Sequence, residues 1–224
     1  MQTKATFITG TDTGVGKTQV SVAMLHALRS RGLLAVGMKP VASGCVMTAN
    51  GWCNDDALAL QAASDPCPNY ALVNPFALPD ATAPSIAAKN VGVVIELPAL
   101  VAAYRLLQQQ ADGVVVEGVG GWLAPFADGL EQSDLVRALD LDVILVVGLR
   151  LGCLNHARLS ARAIRDDGCR LVGWVANAMI EPMEFADDYF SALQDAMAAP
   201  CLGRIPFAAT ASAVDRAKLL TLPG

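Results

Sequence analysis

Apolar residues fall in two spacings along this chain, and the spacings alternate. Thr6 to Thr9 is a short continuous run that reads as a strand. Val20, Val22, Ala23, Leu25, Ala27 and Leu28 recur behind it at helical intervals, which predicts a helix from Lys17 to about Arg31, closed by Gly32. Leu34 to Met38 is a second run, and it stops at Lys39-Pro40 because proline has no N–H to give to a ladder. A loop containing Gly, Ser and Asn continues to Cys53, after which Asn54 or Asp55 is placed to cap a helix through Ala57, Leu58 and Leu60. Asp65 to Ala83 carries several prolines and reads as irregular. Then come a helix from about Glu96 to Gln110, a run from Gly113 to Gly118, a run from Asp142 to Gly148 and a helix from Asn155 to Asp167. A run from Leu171 to Ala176, a helix from Pro182 to Ala198 and a last run from Cys201 to Ile205 complete the pattern. The runs at 113–118 and 142–148 are apolar without alternation, the character of parallel strands covered on both faces. Strands spaced by helices predict an α/β fold, a doubly wound, mostly parallel sheet flanked by helices. No repeat, low-complexity tract or linker interrupts the pattern, which predicts one domain over residues 1–224.

Composition narrows the class. Hydrophobic residues make up 54% of the 224 and charged residues 17%, enough for a large core and too apolar for disorder. No apolar run approaches the roughly 20 residues of a membrane span. Met1 to Lys4 leads straight into a strand without a signal-peptide pattern, so no membrane partner and a cytoplasmic location are expected. The net charge of −5 argues against a nucleic-acid partner. Six cysteines are scattered without a Cys-x-x-Cys pair, and there are two histidines, so reduced thiols and no zinc site are expected.

In sheets of this kind ligands bind beyond the carboxyl ends of the strands. The first such end is Phe7-Ile8-Thr9-Gly10-Thr11-Asp12-Thr13-Gly14-Val15-Gly16-Lys17-Thr18, where a strand turns through glycines into Lys-Thr and a helix. That context makes the stretch a phosphate site: backbone N–H groups converge on anionic oxygens, the helix start adds positive charge, Lys17 reaches the outer phosphates and the Thr18 hydroxyl reaches Mg²⁺. The expected fold is thus of the P-loop nucleoside triphosphatase type. The usual pattern has its first glycine five places before Gly16, where Thr11 stands; Gly10 is one place early, so the loop has an extra residue. Glu117, after three valines, stands where nucleotide hydrolases hold the second ligand of Mg²⁺. Asp56 is a third candidate, and it reads as well as a first-turn helix stabiliser. Lys39 is a second cation at a strand end, suited to offset charge on a phosphoryl group in transit or else simply solvated. Asn177, with a donor and an acceptor, suits adenine or a plain turn. His26 and His156 lie in helical patterns and read as surface or capping residues.

Six blocks then carry a resemblance: Gly10 to Thr18, Lys39-Pro-Val-Ala-Ser-Gly44, Asp56-Ala-Leu-Ala-Leu60, Val116-Glu-Gly-Val-Gly-Gly-Trp122, Val143 to Gly148 with Leu151 to Ala157, and Gly173-Trp-Val-Ala-Asn177. In this order they resemble the ATP-dependent dethiobiotin synthetases, whose phosphate loop has the same extra residue. The resemblance implies an ATP- and Mg²⁺-dependent cyclo-ligase that closes a cyclic urea on 7,8-diaminononanoate with CO₂, through a carbamate and a carbamic–phosphoric anhydride. It implies that Gly14, Val15, Gly16, Lys17, Thr18 and Gln19 hold phosphates, and that Thr18, Asp56 and Glu117 hold Mg²⁺. It places Gly118, Val119 and Gly120 beside the nucleotide, and Asn177 with Pro206, Phe207 and Ala208 at adenine. Lys17 and Lys39 flank the reacting groups, and Thr13 and Ser43 contact diamine or carbamate. Gly14 stands where some members carry Glu, so no role carries over for that side chain.

The extended substrate needs a second anion site for its carboxylate, and the loop Arg150 to Asn155, opening a helix, offers freed N–H groups. The resemblance implies a homodimer in which Leu151, Gly152, Cys153 and Asn155 serve the partner's substrate; the plainer reading is a cap by Asn155 within one subunit. Two rivals remain. An amidotransferase subunit would need a glutaminase module with a catalytic Cys, for which this chain is too short. A partitioning ATPase switch carries a signature Lys five residues before the loop lysine, where Asp12 stands.

Overall fold

The computed structural model describes residues 4–179, 183–207 and 212–223. Strand β1 (Lys4–Gly10) leads through the glycine turn into helix α1 (Lys17–Arg29), and β2 (Ala35–Met38) follows. A small excursion comes next: β3 (Val41–Ala42), a hairpin of β4 (Val46–Thr48) and β5 (Gly51–Cys53), helix α2 (Asp55–Ala63), one turn of helix α3 (Tyr70–Val73), and β6 (Phe76–Ala77), which pairs parallel with β3. Helices α4 (Pro84–Val91) and α5 (Leu97–Gln108) lead to β7 (Gly113–Gly121). The rest alternates: α6 (Gln132–Leu139), β8 (Asp142–Leu149), α7 (Cys153–Asp166), β9 (Arg170–Ala178), α8 (Ala186–Ala196), β10 (Cys201–Ile205) and α9 (Ala213–Ala217).

The main sheet has six strands in the order β10-β9-β8-β1-β7-β2, and every pairing is parallel. The chain leaves β1 for β2 at one edge, returns to β7, and crosses β1 to build the other half. The crevice at the carboxyl end of β1 therefore opens where the winding reverses. Neighbouring residues of each strand point to opposite faces: Phe7, Val116, Val143 and Leu145 enter one core, and Ile8, Val115, Ile144 and Val146 enter the other. Helices α1 and α2 cover the second face and α4 to α8 the first, which is why the long strands are apolar at every position.

The structure adjusts several expected bounds. Asn54, not Asp55, caps α2, its side chain accepting from Ala57 N–H. Helix α1 ends at Arg29 and α8 runs only from Ala186 to Ala196; Pro182, its expected start, lies outside the described residues. Helix α7 begins two residues before Asn155, with Gly152 at its N-cap in the left-handed region (φ 93°), so Asn155 is not its cap. Strand β7 continues past Glu117 to Gly121 after a bulge against β1, between Ile8 and Gly10. The segment 65–83 holds α3 and β6. Among the described residues no helix is long and apolar enough to cross a membrane.

Candidate active site

The glycine turn after β1 closes on residues from across the sheet. Gly16 sits at φ 91°, and a Cβ there would lie 2.2 Å from Nδ2 of Asn177. Only glycine lets β9 come that close, and Asn177 uses the space to donate to the Val15 carbonyl at 2.9 Å. Val15 itself is buried in the core, so its share in a phosphate site is its backbone.

Four charges meet at the strand ends bordering this loop. Nζ of Lys39, just beyond β2, donates to Oε1 of Glu117 (2.5 Å), Oδ2 of Asp56 (3.2 Å) and the Gly118 carbonyl (3.1 Å). These use all three of its N–H groups. Thr18 Oγ1 donates to the same Glu117 oxygen at 2.9 Å. Nζ of Lys17 folds back onto two neutral acceptors, the carbonyls of Asp12 (3.0 Å) and Gly120 (2.7 Å). The two lysines therefore titrate in opposite directions. Burial, then the positive charge of Lys39, push Lys17 down to about 8, against the pull of Glu117 and Asp56. Burial also works against Lys39, but the Glu117 and Asp56 carboxylates outweigh it and raise that pKa. For Asp56 burial raises and Lys39 lowers, and the net direction is down.

Glu117 is fully buried, and its Oε2 has no hydrogen-bond partner among the described residues. A buried carboxylate oxygen without a donor is a costly arrangement, and it suits a hard cation. With the Thr18 hydroxyl and the half-exposed Asp56 carboxylate it forms the all-oxygen donor set that Mg²⁺ prefers. Thr18, Asp56 and Glu117 thus fit the metal that the sequence suggests.

A cleft of about 830 Å³ is lined by these groups together with Thr13, Gly14, Gly16, Gln19, Ala42, Ser43, Ala81, Thr82, Pro84, Val119 and Gly120. Ser43 donates to the Thr82 carbonyl at 2.6 Å. A smaller cavity of about 190 Å³ adjoins the phosphate loop and gathers Asn177, Met179, Pro206, Phe207 and Arg216. Ala208 lies outside the described residues. The loop residues Leu151, Gly152, Cys153 and Asn155 do not line the large cleft. Leu151 is 86% exposed, while the Cys153 side chain is buried and its N–H bonds the Arg150 carbonyl. Arg150 pairs with Asp12, tying this loop to the phosphate loop.

Sequence reasoning missed Gln132. At the start of α6 and fully buried, it accepts from Val119 N–H at 2.9 Å and gives its amide to the carbonyls of Val119, Gly121, Trp122 and Ala124. It shapes the turn whose Gly118 and Gly120 carbonyls receive the two lysines. A Cβ on Gly118 would stand 2.3 Å from Gln132 Oε1, so that glycine makes room for the amide. A single glutamine in a polar stretch gives no sequence signal of this role.

A parallel sheet whose central strand ends in a glycine loop, Lys-Thr and a helix, with a carboxylate on the next strand, defines a P-loop ATPase. Residues 4–214 match the family described as an AAA domain. Two solved structures share the fold. One is a ParA family ATPase from Chlorobium tepidum (TM-score 0.58, 14% identity, 97% of this chain and 96% of that one). The other is the MinC:MinD cell division complex of Aquifex aeolicus (TM-score 0.57, 14% identity, 96% and 86%). Full-length relatives are more specific. The chain is 57% identical over 223 residues, with 100% coverage of each chain to the nearest per cent, to the ATP-dependent dethiobiotin synthetase BioD of Xanthomonas campestris pv. campestris. It is 56% identical over 206 residues, 92% of this chain and 91% of the other, to that of Xylella fastidiosa. The chain belongs to the ATP-dependent dethiobiotin synthetase family.

Proposed function

We propose that this chain forms dethiobiotin from 7,8-diaminononanoate and CO₂ with ATP, as a cyclo-ligase of biotin biosynthesis, and that Mg²⁺ is held by Thr18, Asp56 and Glu117. One observation carries the reading at the level of residues: two buried lysines converge with Thr18 and Glu117 in a cleft of about 830 Å³ that is also lined by Ser43, Thr82 and Pro84. That cleft has room for a substrate beside the phosphate loop.

Lys39, held charged by its carboxylates, and Lys17 disfavour the charged form of an amine brought beside them, and a neutral amine is what attacks CO₂. The carbamate so formed is an anion, and the positive charges of the same two lysines favour it, the three N–H groups of Lys39 being already engaged by Glu117, Asp56 and Gly118. Lys17 and Lys39 also offset the charge spread over a phosphoryl group passing in line to the carbamate oxygen. A bound divalent cation would supply further neutralisation of phosphate oxygens. The second amine is already in place, so its attack on the activated carbonyl, with loss of phosphate, is intramolecular and gains its rate from orientation. Thr13 and Ser43 orient the diamine end, and Asn177, Pro206 and Phe207 hold the base. No side-chain nucleophile is required.

The substrate carboxylate is assigned to the 150–155 loop of a second subunit. Support comes from chain geometry: Leu151 projects into solvent, and Leu151, Gly152, Cys153 and Asn155 do not line the cleft of their own chain, although Arg150 ties the loop to Asp12. Incubation of purified protein with diaminononanoate, bicarbonate and MgATP should give dethiobiotin, ADP and phosphate only when all are present. Brisk ATP hydrolysis indifferent to the diamine would point to a nucleotide switch instead.

A further inference from the structure

Lys39 and Asp56 come from different parts of the chain, yet their side chains meet at 3.2 Å. Lys39 follows β2, the edge strand of the main sheet, whereas Asp56 stands in the first turn of α2, beyond a hairpin. Something has to fix the start of α2 against the end of β2. The link lies in the segment 65–83, at residues that do not themselves line the cleft.

Tyr70, the first residue of α3, places its hydroxyl between the two. It accepts from the Asn54 N–H at 2.8 Å and donates to Oδ1 of Asn74 at 3.2 Å. Nδ2 of Asn74 in turn donates to the Lys39 carbonyl at 2.7 Å, and the Lys39 N–H donates to the Val73 carbonyl at 2.7 Å. The donors point one way along the whole chain, from Asn54 through Tyr70 and Asn74 to Lys39, which leaves one orientation for the Asn74 amide. Asn54 caps α2 through Ala57 N–H and reaches back to the Ser43 carbonyl at 3.4 Å. The Lys39–Asp56 contact closes the ring. Asn74 is 3% exposed, and burial pushes the Tyr70 hydroxyl up to about 12, so it stays a donor at any working pH.

We propose that Tyr70 and Asn74 are positioning residues for the reaction: through this ring they set the Asp56 carboxylate and the Lys39 backbone in register, so that Lys39 faces the transferring group while Asp56 stays within its reach. The proposal rests on the roles given above to Lys39 and Asp56. It touches neither substrate nor nucleotide directly, so its signature is a loss in kcat with nucleotide affinity retained.

The test uses three variants beside Lys39→Ala. Tyr70→Phe deletes only the hydroxyl, and Asn74→Asp sets a carboxylate oxygen against the Lys39 carbonyl. Asn69→Ala removes the cap of α3, which accepts from Ala71 N–H at 2.9 Å, without touching the ring. Tyr70→Phe should lower kcat about tenfold, the scale of a small misplacement of a reacting group, with the ATP-analogue Kd unchanged. In the free protein, amide hydrogen exchange over residues 54–58 should rise. Asn74→Asp should do the same or more, and if it fails to fold Tyr70→Phe decides alone. Asn69→Ala should keep wild-type kcat. Wild-type kcat in Tyr70→Phe, beside an inactive Lys39→Ala, overturns the proposal and leaves the functional reading standing. So does an equal loss in Asn69→Ala, or a loss in Tyr70→Phe with unaltered exchange at 54–58. Wild-type turnover in Lys39→Ala overturns the functional reading and the proposal together.

Discussion

Raising the pH through 8 should weaken nucleotide binding, because Lys17 then meets the phosphates without its charge. Lys17 is 7% exposed, and its ammonium rests on two neutral carbonyls while Lys39 repels it nearby. Its pKa accordingly falls from 10.5 to about 8. Between those two values an unfolded chain keeps the proton that the folded chain drops. Stability therefore rises with pH across that window, and below it a charged Lys17 costs the fold about 3 kcal/mol. Binding follows the opposite course. Phosphate oxygens favour the ammonium, so above about 8 each nucleotide bound must take up a proton. The charged fraction of Lys17 drops from about nine-tenths at pH 7 to about one-tenth at pH 9, and Kd should rise roughly tenfold. The last ionisation of a phosphate group, near 6, is complete over that range and does not contribute. Calorimetry with a non-hydrolysable ATP analogue, repeated in buffers of different ionisation enthalpy, reads affinity and proton uptake together. Uptake should approach one proton at pH 9 and little at pH 7, and Lys17→Met should bind weakly at both and take up none. A flat Kd with no uptake at pH 9 refutes the argument.

Lys39→Ala should lower kcat by about 10²–10³, the scale for one preorganised charge, and it leaves Glu117 buried beside one cation fewer; near-normal turnover in steady-state kinetics would return Lys39 to a structural role. Glu117→Gln keeps the shape of the side chain and removes its charge, so it should shift the Mg²⁺ titration of activity to higher concentration while the analogue still binds through backbone N–H groups; an unchanged titration would remove Glu117 from the metal site. If the 150–155 loop serves the partner, mixing Lys39→Ala chains with Gly152→Val chains should restore about a quarter of activity, since half the dimers are mixed and each has one intact site of two. No rescue after proven subunit exchange, or a fully active monomer in sedimentation, would sink the shared site.

The strands were legible because each is buried on both faces, so that runs such as Val114 to Val116 and Val143 to Val147 need no context to be recognised. The groups at their ends were legible for a related reason: Lys39 and Glu117 are charges set directly after apolar runs. Short elements were not. Helix α3 has four residues and α4 eight, too few turns to display a period, and tertiary packing rather than propensity holds such helices. Gln132 and Asn74 were silent because each acts by filling backbone hydrogen bonds of a distant turn, and no local pattern marks an amide for that. The start of α7 was misplaced because Asn155 has the composition of a cap, whereas the chain enters the helix through Gly152 in a left-handed turn with no side-chain cap.

The opposite treatment of the two lysines says what each is prepared for. Lys39 is neutralised by carboxylates on α2 and β7 before any ligand arrives, so its charge is secure, and so is its place. Lys17 has only carbonyls, which hold its position and do little for its charge. An incoming polyphosphate therefore gains little from Lys39, whose charge is already shared, and most from Lys17, whose ammonium it stabilises against burial. Above about pH 8, where Lys17 has lost most of its charge, a bound nucleotide would restore the second cation of the site. A carbamate formed afterwards would then lie between two charged lysines, whereas an amine arriving before nucleotide at high pH would meet only one. Above about pH 8 a bound nucleotide would therefore restore the Lys17 charge, and it would do so through the mismatch in the partners of Lys17 and Lys39 rather than through any movement of the fold.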